Sequence, residues 1–123
     1  MTETFVAATP GAAVPRPAGL STFLITDIEG STRLWEDHAA AMGPALALHD
    51  GLLRDAVEGS QGTVIKTTGD GLLAVFDDQL SAIRAAATAQ VALRDADWGA
   101  TGPLRVRMAI HTGTPLVVNF NTT

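Results

Sequence analysis

The stretch TVIKTTGDGLLAVF, Thr63 to Phe76, limits the possible folds more than any other part of the chain. Two β-branched and apolar runs, Thr63 to Thr68 and Leu72 to Phe76, flank Gly-Asp-Gly, and strand formers around such a turn predict a β-hairpin. The patterns on either side decide which sheet the hairpin joins.

Upstream, Thr22 to Thr26 is a short apolar run ending at Asp27, consistent with a buried strand. After Gly30, Ser31 and Thr32 suit a helix N-cap, and Leu34, His38, Met42, Leu46, Leu53 and Val57 recur at helical spacing. Gly43-Pro44 interrupts that run, which leaves two helices or one kinked helix open, and Gly59 to Gly62 closes it. Downstream, Leu80 to Arg94 is alanine-rich with Ile83, Ala87 and Val91 on one face, a further helix. ADWGATGP reads as a loop. LRVRMAIHTG then alternates Leu104, Val106, Met108 and Ile110 against Arg105, Arg107 and Ala109, a fourth strand with one buried face.

The order strand, helix, strand, strand, helix, strand is the split βαβ of an α+β, ferredoxin-like βαββαβ core. In that topology the third strand lies between the first and second, antiparallel to both. The end of strand one and the hairpin after strand two then share an edge of the sheet, where Asp27 and Asp70 are expected to meet. His111, at the far end of an antiparallel fourth strand, is expected at the opposite edge.

Composition narrows the partners. A chain of 123 residues, 46% hydrophobic and 17% charged, reads as one small folded domain. Its net charge of −5 and pI near 4.9 provide no basic footprint, so no nucleic-acid partner is expected. The absence of cysteine removes thiolate chemistry and fits a reducing, cytoplasmic setting. Residues 1–20, MTETFVAATPGAAVPRPAGL, lack the pattern of a signal peptide and read as a flexible Ala/Pro-rich leader. No apolar run reaches the roughly 18 residues of a transmembrane helix, so no membrane partner is expected.

Two aspartates beside a helix start supply hard oxygen ligands and backbone N–H donors, the combination that holds Mg2+ or Mn2+ with a polyphosphate. Gly30 lets the backbone approach a phosphate, and the amides from Ile28 through Glu29, Gly30, Ser31 and Thr32 can point at it. Each residue also has a plainer role: Asp70 suits a hairpin turn, Asp27 a strand end near a helix start, Lys66 an exposed strand position. Convergence of the aspartates at one edge is what favours phosphoryl or nucleotidyl chemistry. His38 and His49 fall on the helical stretch and read as packing residues, as do Trp35 and Trp98.

FLITDIEGSTRLWE, GTVIKTTGDGLLAVF and LRVRMAIHTG, in this order and spacing, resemble the class III adenylate/guanylate cyclase catalytic domain in the form common among bacterial multidomain regulators. The resemblance covers residues 21–113, a partial cyclase domain, with 114–123 a divergent tail. It implies that Asp27, Asp70 and the backbone carbonyl of Ile28 bind two Mg2+ or Mn2+ ions, that residues 29–32 face the phosphates, and that Lys66 contacts the base. The implied reaction is attack of a ribose 3'-oxygen on the α-phosphorus of ATP or GTP, giving a 3',5'-cyclic nucleotide and pyrophosphate for intracellular signalling. Family members resemble head-to-tail dimers, with an Asn and an Arg from the second protomer stabilising the transition state. Here Asn119 comes too early for that role and no arginine follows it. The resemblance therefore implies a metal-binding half-site without its own transition-state residues, impaired alone, acting as a homodimer or with an intact cyclase domain. The alternative is a non-catalytic nucleotide-binding or dimerisation module for such a partner. A haloacid-dehalogenase-like phosphatase fits poorly, because Glu29 stands where that family has its second Asp.

Overall fold

The computed structural model of the chain describes residues 2–6, 20–113 and 117–121. Its central unit is a sheet in the order β3-β4-β2-β5, from β2 (Ser21–Ile28), β3 (Thr63–Thr67), β4 (Gly71–Phe76) and β5 (Val106–Gly113). All neighbouring strands are antiparallel, and the third strand of the unit lies between the first two, as the split βαβ order requires. β1 (Thr2–Val6) pairs antiparallel with β6 (Val117–Asn121) in a separate two-stranded sheet. Thr2–Val6 lies within the segment read as a leader, and four of the five residues of its TETFV run, all but Glu3, are β-favouring Thr, Phe or Val. Met1 and residues 7–19 of that leader, and residues 114–116 and 122–123 of the tail, lie outside the described residues.

From Thr22 onward the strand pleat divides β2. Thr22, Leu24, Thr26 and Ile28 are buried beneath the helices, while Phe23, Ile25 and Asp27 look out from the open face, with Ile25 50% exposed. Leu24 and Ile28 join Phe76, Leu72 and Ala74 of β4 and Met42, Leu53 and Val57 of the long helix in one core. Burying such side chains contributes roughly 1.5 to 3 kcal/mol each.

The helical run divides into α1 (Ser31–Asp37) and α2 (Ala39–Gly59). The break falls at His38, whose φ of −137° and ψ of 43° leave the helical region, rather than at Gly43-Pro44. Since the chain has already turned there, Pro44 is carried inside α2 with the loss of one helical hydrogen bond. His49 is fully buried in α2 and Trp98 is 8% exposed with its indole N–H donating to the Leu93 carbonyl at 2.8 Å, both as packing residues. His38 is half-buried; Trp35 is 42% exposed and packs less than expected.

In α3 (Gln79–Asp95) the period is as expected but the face is not. Ala82, Ala85, Ala89 and Leu93 are buried, whereas Ile83 and Val91 are 52% and 48% exposed. Small alanines let α3 lie close to the sheet and to α2, so the buried stripe lies on nearly the opposite side of the helix, roughly 150° round. β5 keeps its alternation, yet burial fades along it from Val106 through Met108 to Ile110, because β5 is an edge strand.

Candidate active site

Local chemistry places Asp70 first. Gly69 and Asp70 form the hairpin tip, closed by Thr68 N–H donating to the Gly71 carbonyl at 3.0 Å. The Asp70 carbonyl accepts the Ile28 N–H at 2.7 Å, which ties the turn to the end of β2. Asp27 pairs with Gly71 in the β2–β4 register, so Asp27 and Asp70 stand at the same end of neighbouring strands. A side chain at Gly71 would collide with the Thr26 carbonyl oxygen, which explains the glycine: without it the hairpin could not close onto β2 here.

The chain leaves β2 through Glu29, whose N–H donates to the Arg105 carbonyl at 2.8 Å, and turns at Gly30 with φ of +69°, a conformation that favours glycine. Gly30 is the N-cap of α1, not Ser31 or Thr32, and it has no side-chain cap. The Ser31 hydroxyl instead donates to Asp70 Oδ2 at 3.1 Å, and the Thr68 hydroxyl to Oδ1 at 3.3 Å. Both contacts orient the Asp70 carboxylate with neutral donors.

Asp27 is held differently. Arg107 of β5 lies opposite it in the register and places Nε 2.9 Å from Oδ1 and Nη2 2.6 Å from Oδ2, a two-point fork. These hydrogen bonds hold the Asp27 carboxyl below the usual carboxylate range. Glu29 and Asp70 add weaker attraction to the same guanidinium. Arg107 is the site residue that sequence reasoning missed: alternation puts it on the exposed face of β5, but its position opposite Asp27 follows only from the register.

Lys66 of β3 is opposite Leu73, which is opposite Ile25, so the lysine occupies the open face one row inward from Asp27, about 7 Å along the strands. A bulge between Val64 and Lys66 shifts the register there. Ile28 is itself 2% exposed, so only its backbone is at the site. His111 lies opposite Phe23, at the far end of the ladder from Asp27.

No group of three His, Cys, Asp or Glu side chains converges among the described residues. Two part-exposed carboxylates, with Arg107 drawn off Asp27, suit Mg2+ or Mn2+, which keep several waters and share phosphate oxygens, better than a cation needing an all-protein cage. The donor set fits such ions. No helix of the described residues is long and apolar enough to cross a membrane.

Fold and site together define an α+β domain of the nucleotide cyclase fold. The chain is 34% identical to the adenylate cyclase of Podospora anserina over 85% of its own length, which is 6% of that protein. Among solved structures, an adenylate cyclase of Trypanosoma brucei in its monomeric state superposes with a TM-score of 0.77 at 26% identity, covering 83% of this chain and 60% of that one. An adenylate/guanylate cyclase/hydrolase from Silicibacter pomeroyi gives 0.64 at 26% identity, covering 98% and 66%. No family model matches the chain. With three motifs in order on this fold, the chain belongs to the class III adenylate/guanylate cyclase catalytic domains.

Proposed function

We propose that this chain supplies the metal-binding half of a nucleotide cyclase site, acting on ATP or GTP in the cytoplasm to form a 3',5'-cyclic nucleotide and pyrophosphate. One observation carries the reading: the sheet brings Asp27 and Asp70 to the same end of adjacent strands in a member of the cyclase family. Two divalent ions bound there would supply charge stabilisation for an in-line displacement at the α-phosphorus. Asp27, Asp70 and the Ile28 carbonyl would hold them; Glu29, Gly30, Ser31 and Thr32 would line the phosphates; Lys66, one row inward on the open face, would meet the base. The Asn and Arg implied by the resemblance come from a second domain that carries them, so the chain works beside an intact cyclase domain.

The test is complementation. The chain is mixed with a cyclase domain whose metal aspartates are replaced but whose Asn and Arg remain, and cyclic nucleotide is measured with Mn2+ and ATP or GTP. Activity is expected from the mixture and little from either alone, and Asp27→Asn or Asp70→Asn in this chain removes it. A mixture that forms heterodimers yet stays inactive overturns the composite site. The non-catalytic module gains support from one observation, the closure of Asp27 by Arg107, and that outcome would favour it.

A further inference from the structure

We propose that Arg107 is a built-in competitor for the cation position at Asp27, an autoinhibitory clamp that opens before the carboxylate can serve a metal ion; this rests on the two-carboxylate reading above. The pairing is set by backbone register in the β2–β5 ladder, with both side chains on one face, and not by a chance meeting of loops. Nε and Nη2 take separate oxygens of the carboxylate, so the fork uses both at once. A guanidinium is permanently charged and offers no lone pair to a metal. A dication approaching those oxygens meets a fixed positive charge and finds the lone pairs facing the fork taken.

The two carboxylates are therefore unequal. Asp70 is held by hydroxyl donors at 3.1 and 3.3 Å, uncharged contacts that leave it receptive to a cation. Asp27 is closed by a charged partner. The clamp is also able to open: Arg107 projects from an edge strand and its side chain is 66% exposed, so it can swing into solvent with the backbone in place. An exposed pair is weak individually, so the expected effect on metal affinity is modest, roughly two- to fivefold.

The experiment titrates Mn2+ into the whole chain and follows the free-ion paramagnetic resonance signal for wild type, R107M and R107K, with D27N and D70N as site controls. Both Arg107 variants are expected to bind Mn2+ roughly two- to fivefold more tightly than wild type, R107M most tightly. R107K keeps the charge and loses the fork, so its gain separates a contact from a general field. In wild type, the Arg107 Nε–H resonance is expected to shift towards that of a solvated arginine as diamagnetic Mg2+ fills the site, a reading that needs no variant to fold. Unchanged Mn2+ affinity in R107K, or a resonance indifferent to Mg2+ while D27N still abolishes binding, overturns the clamp and leaves the metal site standing. Mn2+ binding that neither D27N nor D70N weakens overturns the metal reading, and the clamp with it.

Discussion

At one end of the β2–β5 ladder Thr22 and Thr112 face each other with their hydroxyl oxygens 2.9 Å apart, and Gln79 Nε2 donates to the Thr112 hydroxyl at 3.1 Å. At the other end, on the same two strands, Asp27 and Arg107 make a charged fork. Thr22 is 1% exposed, whereas the Asp27 and Arg107 side chains are 44% and 66% exposed. Neutral polar groups can be buried when they satisfy one another, and such a pair serves the fold. Charge left in solvent does little for stability and stays available for binding. The ladder is a scaffold at its Thr22 end and an instrument at its Asp27 end.

If that division holds, substitutions at the first end should change stability and those at the second should change binding. The largest stability effect is expected from Phe76→Ala, opposite Thr22 in the β2–β4 register and 1% exposed: a loss of about 3 to 5 kcal/mol in urea unfolding. Gly71→Ala tests the border between the regions. Its new methyl group meets the Thr26 carbonyl oxygen, so a destabilisation of about 2 to 3 kcal/mol is expected, with weakened Mn2+ binding because the hairpin that carries Asp70 must shift. A stable Gly71→Ala variant with normal Mn2+ binding would show that the close approach does not position the site.

Lys66→Ala should leave Mn2+ binding and the unfolding midpoint nearly unchanged while altering the ratio of ATP to GTP binding by roughly tenfold. Equal losses for both nucleotides would make the lysine a phosphate contact. At the scaffold end, Thr22→Val should lower stability by about 1 kcal/mol without affecting metal binding. The smallest effect concerns acid. Because the folded Asp27 carboxyl is held below its unfolded value, its contribution to stability is present above about pH 4 and is lost as pH falls through the lowered folded value. Urea midpoints measured across that acid range should therefore fall less steeply for R107M than for wild type, and identical slopes would remove the pair from the acid response.

Much of this arrangement was legible in the chain. Gly69-Asp70-Gly71 announced its own hairpin because turn chemistry acts within four residues, and the order of strand and helix patterns was enough to place Asp27 and Asp70 at one edge and His111 at the other. The errors share a cause. Ser31 has the chemistry of an N-cap, but Asp70, distant in sequence, claims its hydroxyl. Ile83, Ala87 and Val91 marked a helix correctly, yet a stripe on nearly the opposite side is the one buried, because a period reports a face without reporting what packs against it.

By itself, the sequence determined the element types, their order, the turn at Asp70 and, through strand alternation, the exposure of Arg107. These rest on backbone sterics and side-chain periodicity, which are local. Only the tertiary structure decided that Arg107 lies opposite Asp27 and not two residues away, that α3 turns its alanines inward, and that the helical run breaks at His38. Each depends on how separate segments slide and rotate against one another, and those displacements are chosen by packing across the whole core, which no short window of residues contains.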